Sequence, residues 1–385
     1  MNKQKSDFTE YLDQYKKIEL EYNGIEATAD VDEEDIVTNE PYDIQSIRVQ
    51  QKMITIFQIE HWILAKNGTK LNLSPEYQRN MVWDDQRKSA LIESLLLRIP
   101  IPSIYLDEDR EGNKNVIDGM QRLSTIHSFL NNEFPLKKMQ YLLNCEKKYF
   151  RDLEPKLRTR IEDTELAVNI LDERCPQMVK FDVFRRVNTG GIPLNYQEIR
   201  NIMALPKVRS FLRAMTTCEE FQQATLGRVK DIRMGAQELC LHYLTILTFY
   251  DWKQRDFKYY RGLLKMMDQM ILSLNDMPKQ RLEDIFSAFR LIMSECHEIL
   301  EEYSFCKLEN NKINKSLFTA WAVVVAHSVF EKENVEKLRS AYIERLKMDA
   351  DFYQAITSST GTKKNILKSI AVIREIWKEC NDKSN

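Results

Sequence analysis

The chain has 385 residues, of which 43% are hydrophobic and 30% are charged, the balance of a folded globular protein with room for two domains. Its 56 basic and 58 acidic side chains give a net charge of −2, which excludes a polycation that binds nucleic acid over its whole surface. The seven cysteines show no C-x-x-C pair and the first residues are polar, so the sequence predicts reduced thiols, a cytoplasmic location and no membrane role.

Three regions follow one another along the chain. Residues 1–45 are predicted to form a polar N-terminal arm, with an acidic stretch at residues 30–35 that is a linker or, less simply, a partner tether. Residues 46–200 alternate short apolar runs with helical spacing, which predicts a compact α/β or α+β domain. The predicted strands lie at residues 53–57, 71–73, 104–106 and 116–117, with helices through Trp62, from about Asp84, and after residue 119.

The third region, residues 201–385, is predicted to be helical almost throughout. Its clearest apolar stripe recurs at helical spacing from Leu263 to Leu274 and is rich in methionine, a composition that is more often core than binding groove. The most hydrophobic run, Leu317 to Phe330, is too short to span a bilayer and predicts a buried helix.

Residues 118–122 (Asp-Gly-Met-Gln-Arg) are the most informative stretch. They follow a short apolar run and precede helical spacing, which predicts a strand, a tight turn at Gly119 and the first turn of a helix. Such a turn leaves backbone N–H groups that favour an anion. Asp118 has the chemistry to hold a metal or a water, Gln121 to orient a water, and Arg122 to grip a phosphate. Taken alone, the stretch is more simply an ordinary polar turn.

Other segments change that interpretation. Tyr77-Gln78-Arg79 and Trp83 precede the box, and Phe184 to Gly191 (Phe-Arg-Arg-Val-Asn-Thr-Gly-Gly) follows it, with Glu198 and Arg200 beyond. In that order and spacing, residues 50–200 resemble the N-terminal domain of GmrSD-type modification-dependent restriction enzymes, also called domain of unknown function 262. The family pattern has an Asp-Gly-Gln-Gln-Arg box between these flanking segments.

The resemblance implies a fold and a function. The fold is a ParB/sulfiredoxin-like mixed α/β domain, so the whole chain is expected to be α+β with an all-helical C-terminal domain. The activity is binding and hydrolysis of a nucleoside triphosphate (ATP, GTP or CTP) with Mg²⁺, coupled to defence against foreign DNA and, in some cases, DNA nicking. By motif position the catalytic residues are Asp118, Gln121 and Arg122, with Asp118 as the metal ligand. The nucleotide-binding residues are Arg79, Gly119, Asn188, Thr189, Gly190 and Gly191.

Two departures leave alternatives open. Met120 replaces the first glutamine of the box, and a thioether cannot donate to a phosphate, so slow hydrolysis is expected, with a gain on Met120→Gln if this position takes part. None of the five histidines lies in a nuclease-like pattern, and there is no G-x-x-x-x-G-K-[ST] motif. The chain is therefore either a nucleoside triphosphatase or a non-hydrolysing switch or adaptor that controls a separate nuclease.

A basic stretch with interleaved aromatic residues is the candidate DNA surface. Acidic neighbours (Glu146, Asp152 and Glu154) favour an ordinary solvated face instead. His127 is predicted to pack beside Leu123 or Leu130. The basic and aromatic residues are Lys137, Lys138, Tyr141, Lys147, Lys148, Tyr149, Phe150, Arg151, Lys156, Arg158 and Arg160.

Overall fold

The computed structural model describes residues 23–26, 48–65, 71–73, 83–176, 179–183, 195–258 and 260–381. These residues divide into two compact units. One lies between residues 48 and 183, and the other joins residues 195–381 with the short segment 23–26.

A mixed five-stranded sheet forms the centre of the 48–183 unit. Its spatial order is β1-β5-β3-β4-β2, with parallel pairs β3/β5 and β2/β4 and antiparallel pairs β1/β5 and β3/β4. The predicted α+β class is confirmed. The strands are β1 (Val49–Thr55), β2 (Leu71–Asn72), β3 (Ile104–Glu108), β4 (Lys114–Asp118) and β5 (Glu165–Leu171).

In the described part of this unit, four helices with complete bounds accompany the sheet, and residues 179–183 are also helical. Thr55 caps α1 by accepting from the Gln58 N–H at 3.2 Å, and Asp84 caps α2 by accepting from the Arg87 N–H at 2.8 Å. The predicted helix start at Asp84 is therefore correct. The helices are α1 (Ile56–Leu64), α2 (Asp85–Leu96), α3 (Met120–Leu130) and α4 (Pro155–Glu162).

One hydrophobic core joins sheet and helices. The alternate residues Ile104 and Leu106 of β3 and Val168 and Ile170 of β5 all point into it, as the two-residue period of a half-buried strand requires. The helices contribute apolar positions at helical spacing. These include Ile56 and Ile59, Leu91, Ile92, Leu95 and Leu96, Leu123, Ile126 and Phe129, and Ile161.

The described part of the 195–381 unit is mainly helical and contains a two-stranded ribbon, β6 (Tyr250–Asp251) and β7 (Asp256–Phe257). The methionine-rich stripe lies in α9, where its residues are buried, so the prediction that it is core is confirmed. The helices are α5 (Tyr196–Met203), α6 (Pro206–Thr217), α7 (Glu219–Ala224), α8 (Gly235–Phe249), α9 (Leu263–Asp276), α10 (Lys279–Leu300), α11 (Lys315–Ala326), α12 (Val335–Met348), α13 (Ala350–Ala355) and α14 (Lys363–Asn381).

The hydrophobic run from Leu317 to Phe330, predicted to form a buried helix, does so in α11 as far as Ala326. Beyond the helix, Val329 is 78% exposed. Among the described residues, no helix combines the length and the apolar character that crossing a membrane requires.

Part of the predicted N-terminal arm belongs to the helical unit. Ile25 is 2% exposed and forms a β-bridge with Ile313. Beside it, the Glu26 carboxylate lies 2.6 Å from the Lys307 ammonium. The acidic stretch at residues 30–35 lies outside the described residues.

Candidate active site

The sequence-predicted centre begins with a bulge in the sheet. β3 and β4 pair Leu106 with Val116, but the next pair is Tyr105 with Asp118, which leaves Ile117 as an extra residue on β4. A bulge of this kind changes the direction of the side chain that follows it. Asp118 therefore ends the strand at an irregular point of the ladder, and its side chain remains 21% exposed.

Gly119 turns the chain from β4 into α3. Its φ of +100° lies in the region that favours glycine, and an added Cβ would lie 2.3 Å from the Ile104 Cδ1 atom. The helix then begins with a bond from the Leu123 N–H to the Gly119 carbonyl at 2.9 Å, and no side chain caps its N-terminus. The predicted strand, turn and helix are confirmed.

Arg122 closes back onto this turn. Its Nη2 donates to the Asp118 Oδ2 at 2.6 Å, and its Nη1 donates to the carbonyls of Pro102 and of Ser103, the latter at 3.3 Å. The residue is 9% exposed. Arg122 thus ties the start of α3 to the segment that leads into β3, and its guanidinium already has three acceptors.

The surroundings of Asp118 favour the protonated form of its carboxyl more than water does around an exposed aspartate. Burial raises the pKa of Asp118, whereas the charge of Arg122, the Gly119 N–H and the hydrogen bond from Arg122 oppose the rise. The net pKa lies above its ordinary value. A perturbed carboxyl at a strand end is typical of functional sites, although ion pairs of purely structural origin do the same.

The two middle residues of the box differ in environment. Met120 is 8% exposed and belongs to the hydrophobic core. Gln121 is half-buried in the first turn of α3. The departure from the family pattern therefore falls on a core position.

The remaining predicted site residues lie outside the described residues: Arg79, Asn188, Thr189, Gly190 and Gly191. The structure thus brings together Asp118, Gly119 and Arg122 by direct contact. The sequence did not indicate one further contact, an ion pair between Lys180 and Asp107. Lys180 is buried and forms an ion pair with Asp107 of β3, which fixes residues 179–183 to the sheet immediately before the Asn188 segment.

A second missed feature is the pair of Glu60 and His127. The Glu60 Oε2 lies 2.8 Å from the His127 Nδ1, so His127 does more than pack against leucine. Burial raises the pKa of Glu60, and the hydrogen bond and charge of His127 oppose the rise. The pair joins α1 to α3. Its members are 67 residues apart in the chain, so no local sequence pattern indicated that they would meet.

A metal would find few protein ligands here. Among the described residues no group of three His, Cys, Asp or Glu side chains is arranged to hold an ion. Mg²⁺ nevertheless binds through one or two carboxylates when substrate phosphates complete its shell. The single Asp118 carboxylate fits that mode of binding and does not fit a metal cage built from protein alone.

The candidate DNA residues divide in two. The Arg160 Nη1 donates to the Leu96 carbonyl at 2.8 Å, so this arginine holds the end of α2. Lys137 forms an ion pair with Asp85 at 2.6 Å. Lys138 and Lys147 are exposed, although the Lys138 Nζ donates to the Gln86 side-chain oxygen at 3.2 Å, and Arg151 keeps 69% of its side chain exposed.

Comparison with known proteins finds a family that matches part of the chain. The family model for the GmrSD restriction endonuclease N-terminal domain matches residues 59–204, which is less than half of the 385 residues. No curated protein and no solved structure matches the chain. The matched segment contains the whole Asp118 box, its flanking motifs and four of the five strands of the sheet. Residues 59–204 therefore match the GmrSD restriction endonuclease N-terminal domain family.

Proposed function

We propose that this protein acts in a restriction-type defence system, and that its 48–183 unit binds and hydrolyses a nucleoside triphosphate with Mg²⁺ in response to DNA. The family match supports the restriction role. The observation that carries the nucleotide proposal is the half-buried Asp118 carboxylate beside the uncapped N-terminus of α3. The carboxylate suits a metal, and the helix N-terminus suits phosphate oxygens.

The backbone N–H groups of the first turn of α3 are the phosphate donors in this proposal. The first turn of a helix has no intrahelical partners for its N–H groups, and the helix dipole adds positive potential. No acidic side chain occupies this turn to compete with a bound phosphate. Gly119 lets the chain turn at this point, because its φ is positive and a side chain would collide with Ile104.

Each polar side chain of the box has a proposed task. Asp118 would hold Mg²⁺, which neutralises phosphate charge and orients the reacting groups when bound. Gln121 orients the attacking water. Arg122 positions Asp118 through the 2.6 Å contact. Its bonds to Asp118, Pro102 and Ser103 use three of the five guanidinium N–H groups, and the Nε–H and the second Nη2–H are the proposed donors to a phosphate oxygen. The proposed nucleotide contacts from Arg79, Asn188, Thr189, Gly190 and Gly191 rest on the resemblance alone.

The alternative is a switch that binds nucleotide without turnover and controls a separate nuclease. The bonds from Arg122 to the Pro102 and Ser103 carbonyls favour it, because a nucleotide phosphate that displaced them would release the turn from the segment before β3. The two functions use the same residues. They differ only in whether phosphate is released.

The experiment measures binding and turnover on the same samples. Calorimetry with ATP, GTP, CTP and UTP in the presence of Mg²⁺ identifies the nucleotide, and phosphate release with and without DNA measures hydrolysis. Asp118→Asn is the test variant, and the exposed Asp163→Asn is the matched control. Binding with turnover that only Asp118→Asn removes supports the enzyme. Binding without turnover supports the switch, and absence of binding overturns both.

A further inference from the structure

Residues 136–148 form a closed surface loop. Its ends are joined by hydrogen bonds from the Leu136 N–H to the Lys148 carbonyl at 3.0 Å and from the Lys147 N–H to the Leu136 carbonyl at 2.8 Å. Leu136, Met139 and Cys145 point inward and belong to the hydrophobic core. A compact loop with paired ends and its own buried side chains is frequently functional.

The backbone of the 136–148 loop is held from behind by side chains. The Glu93 carboxylate accepts the N–H groups of Gln140, Tyr141 and Leu142 at 3.0, 2.7 and 2.8 Å. The Glu146 carboxylate accepts the N–H groups of residues 138 and 139 at 3.0 and 2.9 Å, and the Ser89 hydroxyl accepts that of residue 137 at 2.8 Å. Six consecutive N–H groups are thus fixed, and the loop is preorganised.

These bonds change the interpretation of the nearby acidic residues. Glu93 is 5% exposed and lies beneath the loop. Glu146 is committed to the loop backbone. One of the three acidic side chains that favoured an ordinary solvated face, Glu146, is therefore part of the scaffold of the loop.

The outer side of the loop combines apolar and basic groups. Tyr141 is 65% exposed and Leu143 is 70% exposed, two residues apart. Lys138 and Lys147 flank them in sequence and are exposed, and the Lys138 Nζ donates to the exposed Gln86 side-chain oxygen at 3.2 Å. Both lysines adopt positive φ, 54° and 63°, a conformation that costs energy in a residue with a side chain and persists when its surroundings enforce it.

We propose that the 136–148 loop is a DNA-contacting wedge, in which Tyr141 and Leu143 press against bases while Lys138 and Lys147 contact the flanking phosphates of duplex DNA. Wedges of apolar side chains between base steps, flanked by basic residues, are a known mode of DNA binding. Lysine is depleted in protein–protein interfaces, so the exposed lysines favour DNA over a protein partner. The fixed backbone lowers the ordering cost of binding.

This inference rests on the DNA coupling in the proposed function, but its test does not depend on hydrolysis. Fluorescence anisotropy of a short labelled duplex is measured without nucleotide over a salt series. The variants are Tyr141→Ala, Leu143→Ala and the double substitution Lys138→Ala/Lys147→Ala. Leu291→Ala and Lys279→Ala, at exposed positions of α10, are the matched controls.

Loss of the Tyr141 ring is expected to weaken DNA binding about tenfold. The double lysine variant is expected to lower the slope of log affinity against log salt by about 2. A wild-type protein that does not bind the duplex, or loop variants that bind like the controls, would overturn the wedge. Thermal unfolding of every variant shows whether a loss reflects the surface or the fold. Phosphate release by the wild type and by Asp118→Asn tests the nucleotide site, and its result does not depend on the result of the DNA-binding measurement.

Discussion

The Asp118 carboxylate and the Arg122 guanidinium lie 2.6 Å apart across the turn that begins α3. The same guanidinium binds the carbonyls of Pro102 and Ser103, so one side chain links the end of β4 to the segment before β3. The contact is structural in the resting protein, and its members are the groups that the family resemblance assigns to chemistry. Variants at this site therefore need separate readouts for stability and function.

Removing Arg122 is expected to destabilise the 48–183 unit. Arg122→Ala leaves a largely buried carboxylate and two carbonyls without their donor, which costs about 3–5 kcal/mol. Arg122→Lys keeps the charge without the planar fork and should cost less. Chemical denaturation measures the loss, and Arg151→Ala, at an exposed arginine, is the control. If Arg122→Ala were as stable as the control, the contact would have no structural role.

Gly119→Ala is expected to destabilise the protein strongly. The added Cβ would lie 2.3 Å from Ile104 and would require a positive φ, and together these effects cost roughly 2–4 kcal/mol. Gly227→Ala is a matched control, because Gly227 also has positive φ but its added Cβ would meet nothing within 4 Å. Equal shifts of the two variants in denaturant midpoint would show that the contact with Ile104 is not tight.

Met120→Gln is expected to destabilise the core and leave turnover no higher. The amide would replace a side chain that is 8% exposed and surrounded by apolar groups, at a cost of about 1–3 kcal/mol. Met348→Gln, at a position 79% exposed, is the control for stability. A rise in phosphate release from a stable Met120→Gln protein would show that position 120 does reach the chemistry.

The pKa of Asp118 predicts a pH dependence. Burial raises it in the folded protein despite Arg122 and the Gly119 N–H, so the folded state holds this proton more tightly than the unfolded chain. The stability that this proton contributes is complete below the ordinary pKa of about 4 and declines as pH rises through the folded value. Asp118→Asn has no such proton, so its stability relative to the wild type should improve over that interval. Denaturation across pH measures the difference, and a constant difference would contradict the shift.

Glu93 predicts the opposite trend. Its burial alone would raise the pKa, but the N–H groups of Leu142, Tyr141 and Gln140 outweigh burial and lower it. Stability from these bonds is present above the ordinary pKa of about 4.3 and is lost as pH falls through the folded value. Glu93→Gln should cost about 2 kcal/mol at neutral pH, and less in acid.

Chemical denaturation of Glu93→Gln and of the wild type, at neutral pH and in acid, tests this prediction. Glu133→Gln, at an exposed position, is the control. A loss of stability that is the same in acid would mean that the charge of Glu93 does not hold the loop.

The sequence was sufficient for features with local causes. The turn at Gly119, the Asp84 cap and the stripe of α9 follow from residue types at fixed spacing, and all three are present. β5 was missed although Leu166, Val168 and Ile170 alternate in it. This strand pairs with β1 and β3.

Features made by distant contacts had no sequence signal. The acceptors of Arg122 at Pro102 and Ser103, the partner of His127 at Glu60, and the carboxylate beneath residues 140–142 depend on the folded chain. The burial of Met120 likewise could not be predicted from the sequence, because it depends on the side chains that the folded chain packs around it. The likeness to ParB and sulfiredoxin, and the roles of Arg79 and residues 188–191, stay predictions.

The most direct test of the nucleotide site is Mg²⁺-dependent phosphate release by the wild type, Asp118→Asn and Asp163→Asn, each shown to be folded. We expect release from the wild type and from Asp163→Asn, a rate lower by about 10²–10³ for Asp118→Asn, and no release when Mg²⁺ is chelated. Equal rates for Asp118→Asn and the wild type would contradict the assignment of the chemistry to the end of β4.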